Sequence, residues 1–362
     1  MEPQPADHPP SADNPPQEEY IEATTDIPDE GYEDEPEQPH RSSMTSLSSR
    51  VLEGVMENGR TYAAYGKEGD GILSNGERRF FSDVDLEYGM PSDELELERL
   101  DFAHTIYYIL LEKKHFLAPI TDTPHKILDL GTGTGKWCVD IADMFRTAYV
   151  LGVDIAPTQP EWVPPNCHFE IDDIERRWTR SKESFGFVFA RDLLYSIRDW
   201  PRLIKQAYDH LKPGGWIEFD CIYGVLKCDD GTLPEDSNIK KFDSLIREAS
   251  VRYGTPLEAP ENFKKWFEEA GFEGVVERRF KIPTNTWPKD DDYKMVGMLE
   301  RENLLSGIEG MSMRLFDKVL GWDDKETNVL LALVRQDIKK TEYHMYHPFY
   351  VVYGQKPERP PS

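Results

Sequence analysis

The sequence has few cysteines, no long apolar run, and no lysine or arginine in its first 40 residues. Its four cysteines include no CxxC pair, which argues against a disulfide framework and favours reduced thiols in an intracellular protein. Because no stretch of about 18 apolar residues occurs, no membrane-spanning helix is expected. The N-terminus, MEPQPADHPP, has neither the basic nor the apolar region of a secretory signal. These absences predict a protein of the cytoplasm, the nucleus or both.

Acidic residues outnumber basic ones by 68 to 42, so the chain carries a formal net charge of −26. Thirteen acidic residues and nine prolines fall within residues 1–40. Such a segment cannot bury enough apolar surface to offset the entropy lost on ordering, so residues 1–50 are predicted to form a disordered acidic tail and linker. The rest of the chain is also acidic and would repel the phosphates of nucleic acids, so direct nucleic-acid binding is not expected.

Beyond the tail, short apolar stretches alternate with amphipathic segments. Strands are predicted at residues 127–130, 149–153, 168–171, 187–190, 216–222, 275–282 and 349–353. A long helix is predicted before the first strand, and helical patterns fill most of residues 290–342. Alternating strands and helices indicate an α/β fold with a parallel sheet covered on both faces. The C-terminal helical segment is expected to form a cap over that core.

The loop after the first predicted strand reads ILDLGTGTGKW over residues 127–137. A phosphate-binding P-loop needs Ser or Thr after its lysine, and Trp137 excludes it. The dinucleotide fingerprint GxGxxG needs glycine where the chain has Lys136, which weakens an NAD site without excluding it. S-adenosylmethionine has no pyrophosphate, and an acid followed by GxGxG resembles motif I of the class I methyltransferases. The residues of this motif are Asp129, Gly131, Gly133 and Gly135.

Acidic residues follow the next two predicted strands. Asp154 ends the second strand, where a carboxylate accepts hydrogen bonds from both ribose hydroxyls of a nucleoside. Asp172 and Asp173 follow the third strand, where enzymes of this class contact the adenine. The alternative is that these residues are ordinary surface acids of an acidic protein.

Several longer segments resemble the LaeA-like fungal methyltransferases. They are YGMPSDELELERLDFAH, PTQPEWVPPNCHFEIDDIERRW, YSIRDWPRLIKQAYDHLKPGGWIE, CDDGT, NTWPKD and YGQKP. The resemblance implies one class I methyltransferase domain over residues 60–357, built on a Rossmann-like, doubly wound, mostly parallel seven-stranded sheet. It also implies S-adenosylmethionine as the cofactor and a link to fungal secondary metabolism. Some members of the family are regulators associated with velvet proteins, and others accompany biosynthetic genes.

The same resemblance implies a role for each motif residue. Asp129 and the three glycines would hold the methionine end of the cofactor, and Asp154 would hold the ribose. Asp172 or Asp173 would contact the adenine. Arg191, after the fourth strand, would lie near the methyl group.

The acceptor and the catalytic base are less well defined. Residues 190–194 read ARDLL where amino-directed methyltransferases often carry Asn/Asp-Pro-Pro-Tyr, so an exocyclic or side-chain amide acceptor loses support. Histidines and cysteines do not cluster, and no metal site is predicted. His104 is the favoured base, because the charged flank of its helix would close over the cofactor. The alternative is that this flank is a solvated surface.

Two main functions remain open, and a third hypothesis is a binding module that has lost catalysis. The first is an enzyme that methylates a small-molecule natural product or its precursor. The second is a LaeA-type regulator of secondary-metabolite genes that acts through velvet-like protein partners, with a protein substrate if any.

Overall fold

The computed structural model describes residues 40–41, 54–57, 59–63, 88–121 and 123–358. The predicted disordered tail lies outside these residues, except for His40–Arg41, which pairs antiparallel with Trp162–Val163. The disorder of the remaining tail therefore stays a prediction. Among the described helices, none combines the length and apolar character needed to cross a membrane.

A seven-stranded sheet forms the centre of the domain. Its strands are β1 Lys126–Leu130, β2 Tyr149–Asp154, β3 Cys167–Ile171, β4 Phe185–Arg191, β5 Leu211–Ile222, β6 Glu273–Pro283 and β7 Tyr346–Gln355. They lie in the order β6-β7-β5-β4-β1-β2-β3. Strands β1 to β5 are mutually parallel, and β7 is antiparallel to both of its neighbours. The predicted doubly wound, mostly parallel seven-stranded sheet is confirmed.

The apolar runs identified in the sequence form the middle of this sheet. Leu128 on β1 pairs with Val188 on β4, and all three residues from 187 to 189 are fully buried. Strands covered on both faces read as continuous apolar runs, which explains the pattern. Strand order reverses between β1 and β4, and ligands of such sheets bind in the crevice at the carboxyl ends of these strands.

Seven α-helices surround the sheet in the described part of the chain. They are α1 Glu94–Leu110, α2 Lys136–Met144, α3 Trp200–His210, α4 Asn238–Tyr253, α5 Phe263–Ala270, α6 Asp291–Leu315 and α7 Asp324–Ile338. A π-helical turn, Phe316–Leu320, continues α6. Helices α6 and α7 fall within the range predicted to form a cap, and α6 packs along α1. These two helices cover the carboxyl ends of the central strands.

A short hairpin, Val55–Glu57 with Arg60–Tyr62, crosses the predicted start of the domain at residue 60. Arg60 forms a bidentate ion pair with Asp93, the residue that caps α1, with N–O distances of 2.6 and 2.7 Å. Glu57 pairs with the buried guanidinium of Arg314 on α6 at 2.9 Å. The hairpin therefore joins α1 to the cap.

Two of the family-like segments are structural. In NTWPKD, the Asn285 amide donates to the carbonyls of Ile338, Lys340 and Tyr343, at 3.1 to 3.4 Å. The Trp287 indole N–H donates to the Met345 carbonyl at 2.9 Å. In CDDGT, the hydroxyl of Thr232 accepts a bond from the backbone N–H of His344. These contacts fix the segment between α7 and β7.

Candidate functional site

The glycine loop between β1 and α2 has a backbone that only glycine adopts readily. Gly131, Gly133 and Gly135 have φ angles of 69°, 56° and 76°, all in the left-handed region. A Cβ atom on Gly135 would lie 2.5 Å from Cζ of Phe169, and one on Gly131 would lie 2.2 Å from Leu193. The three glycines thus give the loop its curve and its close packing, while the helix N-terminus behind it favours polar and anionic groups.

Asp154 lies directly against this loop. One of its carboxylate oxygens accepts a hydrogen bond from the Gly133 N–H at 2.7 Å, and the other accepts one from the Ala156 N–H at 2.9 Å. Burial raises the pKa of Asp154, and the backbone donors partly oppose that shift. Two side chains that the sequence analysis missed, Thr158 and Gln159, donate to the Gly133 carbonyl. The polar residues after β2 therefore hold the glycine loop in place.

Asp172 is brought beside Asp154, and Asp173 follows at the end of β3. The Asp172 N–H donates to the Asp154 carbonyl at 2.9 Å. Asp173 accepts a hydrogen bond from the Glu175 N–H and pairs with Arg176 at 3.2 Å. Both aspartates are half-buried. The sequence-predicted nucleoside residues thus follow one edge of the sheet.

Asp129 and Arg191 lie below the loop, at the ends of β1 and β4. Asp129 is buried and accepts a weak hydrogen bond from the Cys138 thiol at 3.4 Å. Burial raises the pKa of Asp129 to about 6, although a hydrogen bond from Thr132 and the charge of Arg191 oppose the shift. Both residues line a small cavity enclosed by the glycine loop and α1.

Each ring nitrogen of His104 has a hydrogen-bond partner. Its Nδ1 lies 2.8 Å from the Arg191 guanidinium, which only donates hydrogen bonds, so Nδ1 accepts and the proton of the neutral ring is on Nε2. Nε2 then donates to Asp140 at 3.0 Å. Burial lowers the pKa of His104, against the opposing effect of Asp140. Neither ring nitrogen, as placed, has a lone pair free for an acceptor proton, and the role of His104 as base stays a prediction.

The structure also brings possible metal ligands together, whereas the sequence analysis predicted no metal site. His104, His115 and Asp140 have ligand atoms within 4.8 Å of one another. The Arg191 guanidinium fixes the tautomer of His104 that carries a proton on Nε2, the nitrogen facing Asp140. That tautomer and the adjacent positive charge favour a hydrogen-bonded Arg–His–Asp chain over a cation.

A second and larger cavity lies under the cap. It encloses about 1050 Å³, open space at its mouth included, and its wall comes from α1, α4, α6 and the ends of the central strands. Most of that wall is apolar, as in Leu194, Phe242 and Ile308. Leu100 and Asp192 line both cavities and mark where they meet. A group bound in the small cavity is therefore next to a molecule bound in the large one.

Asp192 is the residue that the sequence analysis overlooked. The segment ARDLL was considered only for the motif it lacks, and attention went to Arg191. Asp192 has a φ angle of 58°, which is uncommon for a residue with a side chain. The Tyr107 hydroxyl donates to its Oδ2 at 2.7 Å. Sequence shows an aspartate after a strand, but only the left-handed backbone turns it toward the junction.

Comparisons with known proteins identify the family of the chain. The family model described as "Methyltransferase domain" matches residues 102–277. "Methyltransferase pytC" of Aspergillus terreus is 37% identical over 87% of this chain and 92% of that protein. "Secondary metabolism regulator LAE1" of Cochliobolus heterostrophus is 33% identical over 75% and 91%. "Probable methyltransferase tdiE" of Emericella nidulans is 34% identical over 74% and 84%.

The chain belongs to the LaeA-like fungal methyltransferases. It is an enzyme of the S-adenosylmethionine-dependent class, linked to fungal secondary metabolism. The residues of this LaeA-like methyltransferase fit the cofactor, because the left-handed glycines leave the loop backbone open and Asp129 supplies a buried carboxyl group beside it. What the relatives leave open is the molecule that receives the methyl group.

Glu300 on α6 gives the large cavity a measurable pH dependence. It is buried, its Oε2 accepts a hydrogen bond from the Asn303 amide at 2.8 Å, and burial raises its pKa to about 8. The folded protein therefore keeps this proton between about pH 4.5 and 8, whereas the unfolded chain loses it. Folding stability should fall as the pH rises through this window and level off above it.

Glu300→Gln keeps the acceptor for Asn303 and removes the titration. We expect its unfolding free energy, relative to wild type, to rise between pH 5 and 8 by up to about 4 kcal/mol. Urea unfolding at several pH values measures the difference. For Glu302→Gln, on the exposed face of the same helix, the unfolding free energy relative to wild type should not change with pH. If the unfolding free energy of Glu300→Gln relative to wild type also did not change with pH, the raised pKa of Glu300 would be contradicted.

Proposed function

We propose that this LaeA-like methyltransferase transfers the methyl group of S-adenosylmethionine to a small, largely apolar molecule held in the large cavity. The observation that carries this proposal is the junction of the two cavities at Leu100 and Asp192. A site for a small molecule is concave and mostly apolar, with a few polar groups that fix orientation, and the large cavity has this character. The relatives pytC and tdiE, which are named as methyltransferases, are consistent with it.

The cofactor residues of this proposal are those that the family resemblance implies. Asp129 and the loop glycines would hold the methionine end, Asp154 the ribose, and Asp172 or Asp173 the adenine. The cofactor supplies a methyl group already activated on a sulfonium sulfur. The chain's own contribution is to position that group against the acceptor and to exclude water from the junction.

Arg191 is proposed to act from beneath the methyl-transfer site. On one side its guanidinium donates to His104, which is itself held by Asp140, and the rings of Tyr107 and Phe189 lie 5.2 and 5.8 Å from its Cζ. A guanidinium fixed in this way is a rigid hydrogen-bond donor for a carboxylate. In this proposal His104 is a positioning residue rather than a base.

The test supplies methyl-labelled S-adenosylmethionine to the enzyme together with an organic extract of a fungal culture. We expect label in organic-soluble products of wild type. Leu304→Trp places a large side chain in the large cavity and should abolish this label while leaving cofactor affinity within about twofold. Met298→Trp, on the same helix but outside the cavity wall, is the control. Undiminished labelling by Leu304→Trp would show that the acceptor does not bind there.

The second candidate is a regulator, and the similarity to LAE1 favours it. A regulator with a protein substrate predicts that the label enters a protein fraction and that Leu304→Trp has no effect on it. Velvet-type partners belong to this alternative, in which the acidic tail would contribute to the phenotype. The same labelling experiment, with organic and protein fractions counted separately, distinguishes the two functions.

A further inference from the structure

The large cavity is unusual in the charges of its wall. Three carboxyl groups line it, those of Asp192, Asp243 and Glu300, but only one arginine does. Arg99 donates two hydrogen bonds to Oε1 of Glu96, at 2.7 and 2.9 Å, and a third to Asn303. Its charge is therefore countered by a carboxylate outside the cavity wall. Among the described residues, the acids of the wall are therefore left without a cation paired to them.

Two carboxyl groups of the wall, that of Asp192 at the junction and that of Glu300 in the large cavity, also have unused acceptor capacity. Oδ2 of Asp192 accepts a hydrogen bond from the Tyr107 hydroxyl, and Oε2 of Glu300 accepts one from the Asn303 amide. Within the described part of the chain, the second oxygen of each group accepts no hydrogen bond, and neither group has a lysine or arginine nitrogen within 4 Å. A carboxylate accepts about four hydrogen bonds, so Asp192 retains room for a donor supplied by a ligand. Glu300 gains the same capacity when the positive charge of a bound ligand displaces its proton.

Holding these acids together carries a cost that a cationic ligand would remove. Burial raises the pKa of Glu300 to about 8 and also raises that of Asp243, and the charge of Asp192 adds to the shift at Glu300. Asp192 itself occupies a left-handed backbone conformation. Such strain persists where the surrounding structure imposes it, and it concentrates at functional sites. Ordinary packing does not require a strained acid beside a buried acid.

We propose that the methyl acceptor is an apolar primary or secondary amine whose ammonium group is bound by Asp192 at the junction and by Glu300 on the wall of the large cavity, an inference that rests on the proposed function. The apolar wall accommodates the body of the amine, and the rings of Tyr88 and Tyr195 lie on the same wall. An anionic acceptor would be repelled. An aliphatic amine differs from an amide because its nitrogen lone pair is not delocalised, so the missing Asn/Asp-Pro-Pro-Tyr motif does not argue against it.

The proton balance assigns a further role to Asp192. A bound ammonium first gives one proton to a carboxylate, and Asp192 is the one that lines both cavities. The freed nitrogen lone pair then forms the N–C bond to the methyl group. The C–S bond breaks at the same time, and the electron pair of that bond stays on sulfur. The products are a methylammonium ion and a neutral thioether, and the proton on Asp192 is later released to water.

Three probes of equal chain length separate charge from apolar contact. They are n-octylamine, n-octanol and octanoate, titrated calorimetrically at pH 7 into the full-length enzyme saturated with S-adenosylhomocysteine. We expect octylamine to bind at least about tenfold more tightly than octanol, and octanoate to bind more weakly than both. Equal affinities, or a preference for octanoate, would overturn the amine assignment. Failure of all three to bind would instead reject the cavity as a small-molecule site, and with it the proposed function.

Variants then show which residues cause the preference for octylamine over octanol. In Asp192→Asn and Glu300→Gln the octylamine affinity should fall toward that of octanol, while octanol binding stays unchanged. Glu302→Gln, an exposed acid on the same helix, should keep the full preference for octylamine. Retained affinity for S-adenosylhomocysteine confirms that each variant is folded. A preference that survives in the double variant Asp192→Asn/Glu300→Gln would show that the ammonium binds elsewhere.

Discussion

Replacing Gly135 by alanine should weaken the binding of S-adenosylmethionine by about 100-fold or more. The residue caps α2 with a φ angle of 76°, a conformation that costs an ordinary residue about 1–2 kcal/mol. The added Cβ would also lie 2.5 Å from Cζ and 2.9 Å from Cε1 of Phe169, a ring fixed in the core under the loop. Overpacking of this kind costs about 1–3 kcal/mol, and the loop must move to relieve it.

Isothermal titration measures this loss of cofactor affinity. A second glycine separates the effect of the left-handed φ angle from that of the contact with Phe169. Gly321 has a similar φ angle of 72°, but a Cβ there would meet nothing within 4 Å among the described residues. Gly321→Ala should therefore lose a little stability and keep its cofactor affinity. Wild-type affinity in Gly135→Ala would show that the loop is not the cofactor cradle.

Arg314→Ala should lower the unfolding free energy by about 3 kcal/mol, the largest loss of stability expected from a single charged residue of the cap. The guanidinium is 2% exposed, pairs with Glu57 at 2.9 Å, donates to the Tyr88 carbonyl at 2.6 Å and lies 3.6 Å over the ring of Tyr62. Its removal takes away one of two cations that pair with Glu57 of the N-terminal hairpin, the other being Lys318 at 3.1 Å on the turn after α6. Since Tyr88 lines the large cavity, cover over that cavity should loosen as well.

Chemical denaturation followed by tryptophan fluorescence measures the change. Arg301→Ala is the matched control, because that arginine lies on the same helix and pairs with Glu302 near the surface. Its loss should be below about 1 kcal/mol. If Arg314→Ala unfolds at the same denaturant concentration as Arg301→Ala, the hairpin contributes nothing to the stability of the cap.

The central strands were predictable because each is buried on both faces and reads as an apolar run. All seven strands were located, and most boundaries fell within a few residues. The exception is β5, which begins at Leu211 rather than at residue 216. Its first pair, Phe185 with Leu211, is separated by a register shift from the next, Phe187 with Trp216. A sequence pattern of apolar residues does not reveal a shift of this kind.

The glycine loop was predictable for a related reason. Few ligands need an acid followed by three alternating glycines, and Lys136 and Trp137 removed most of the competitors. The loop geometry agrees with that interpretation, since all three glycines have left-handed φ angles. The partners of His104 were not predictable, because Arg191 and Asp140 are 87 and 36 positions away and reach it only through the sheet and α2.

Sequence by itself determined the class of this protein. Apolar periodicity required the α/β sheet, and motif chemistry with family resemblance pointed to S-adenosylmethionine. Tertiary structure alone decided where the large cavity lies and what charges line it. Asp192, Asp243 and Glu300 come from three separate parts of the chain, and only the packing of the cap over the carboxyl ends of the strands brings them to one wall. Burial then raises the pKa of Asp243 and Glu300, and no local pattern records burial imposed by distant residues.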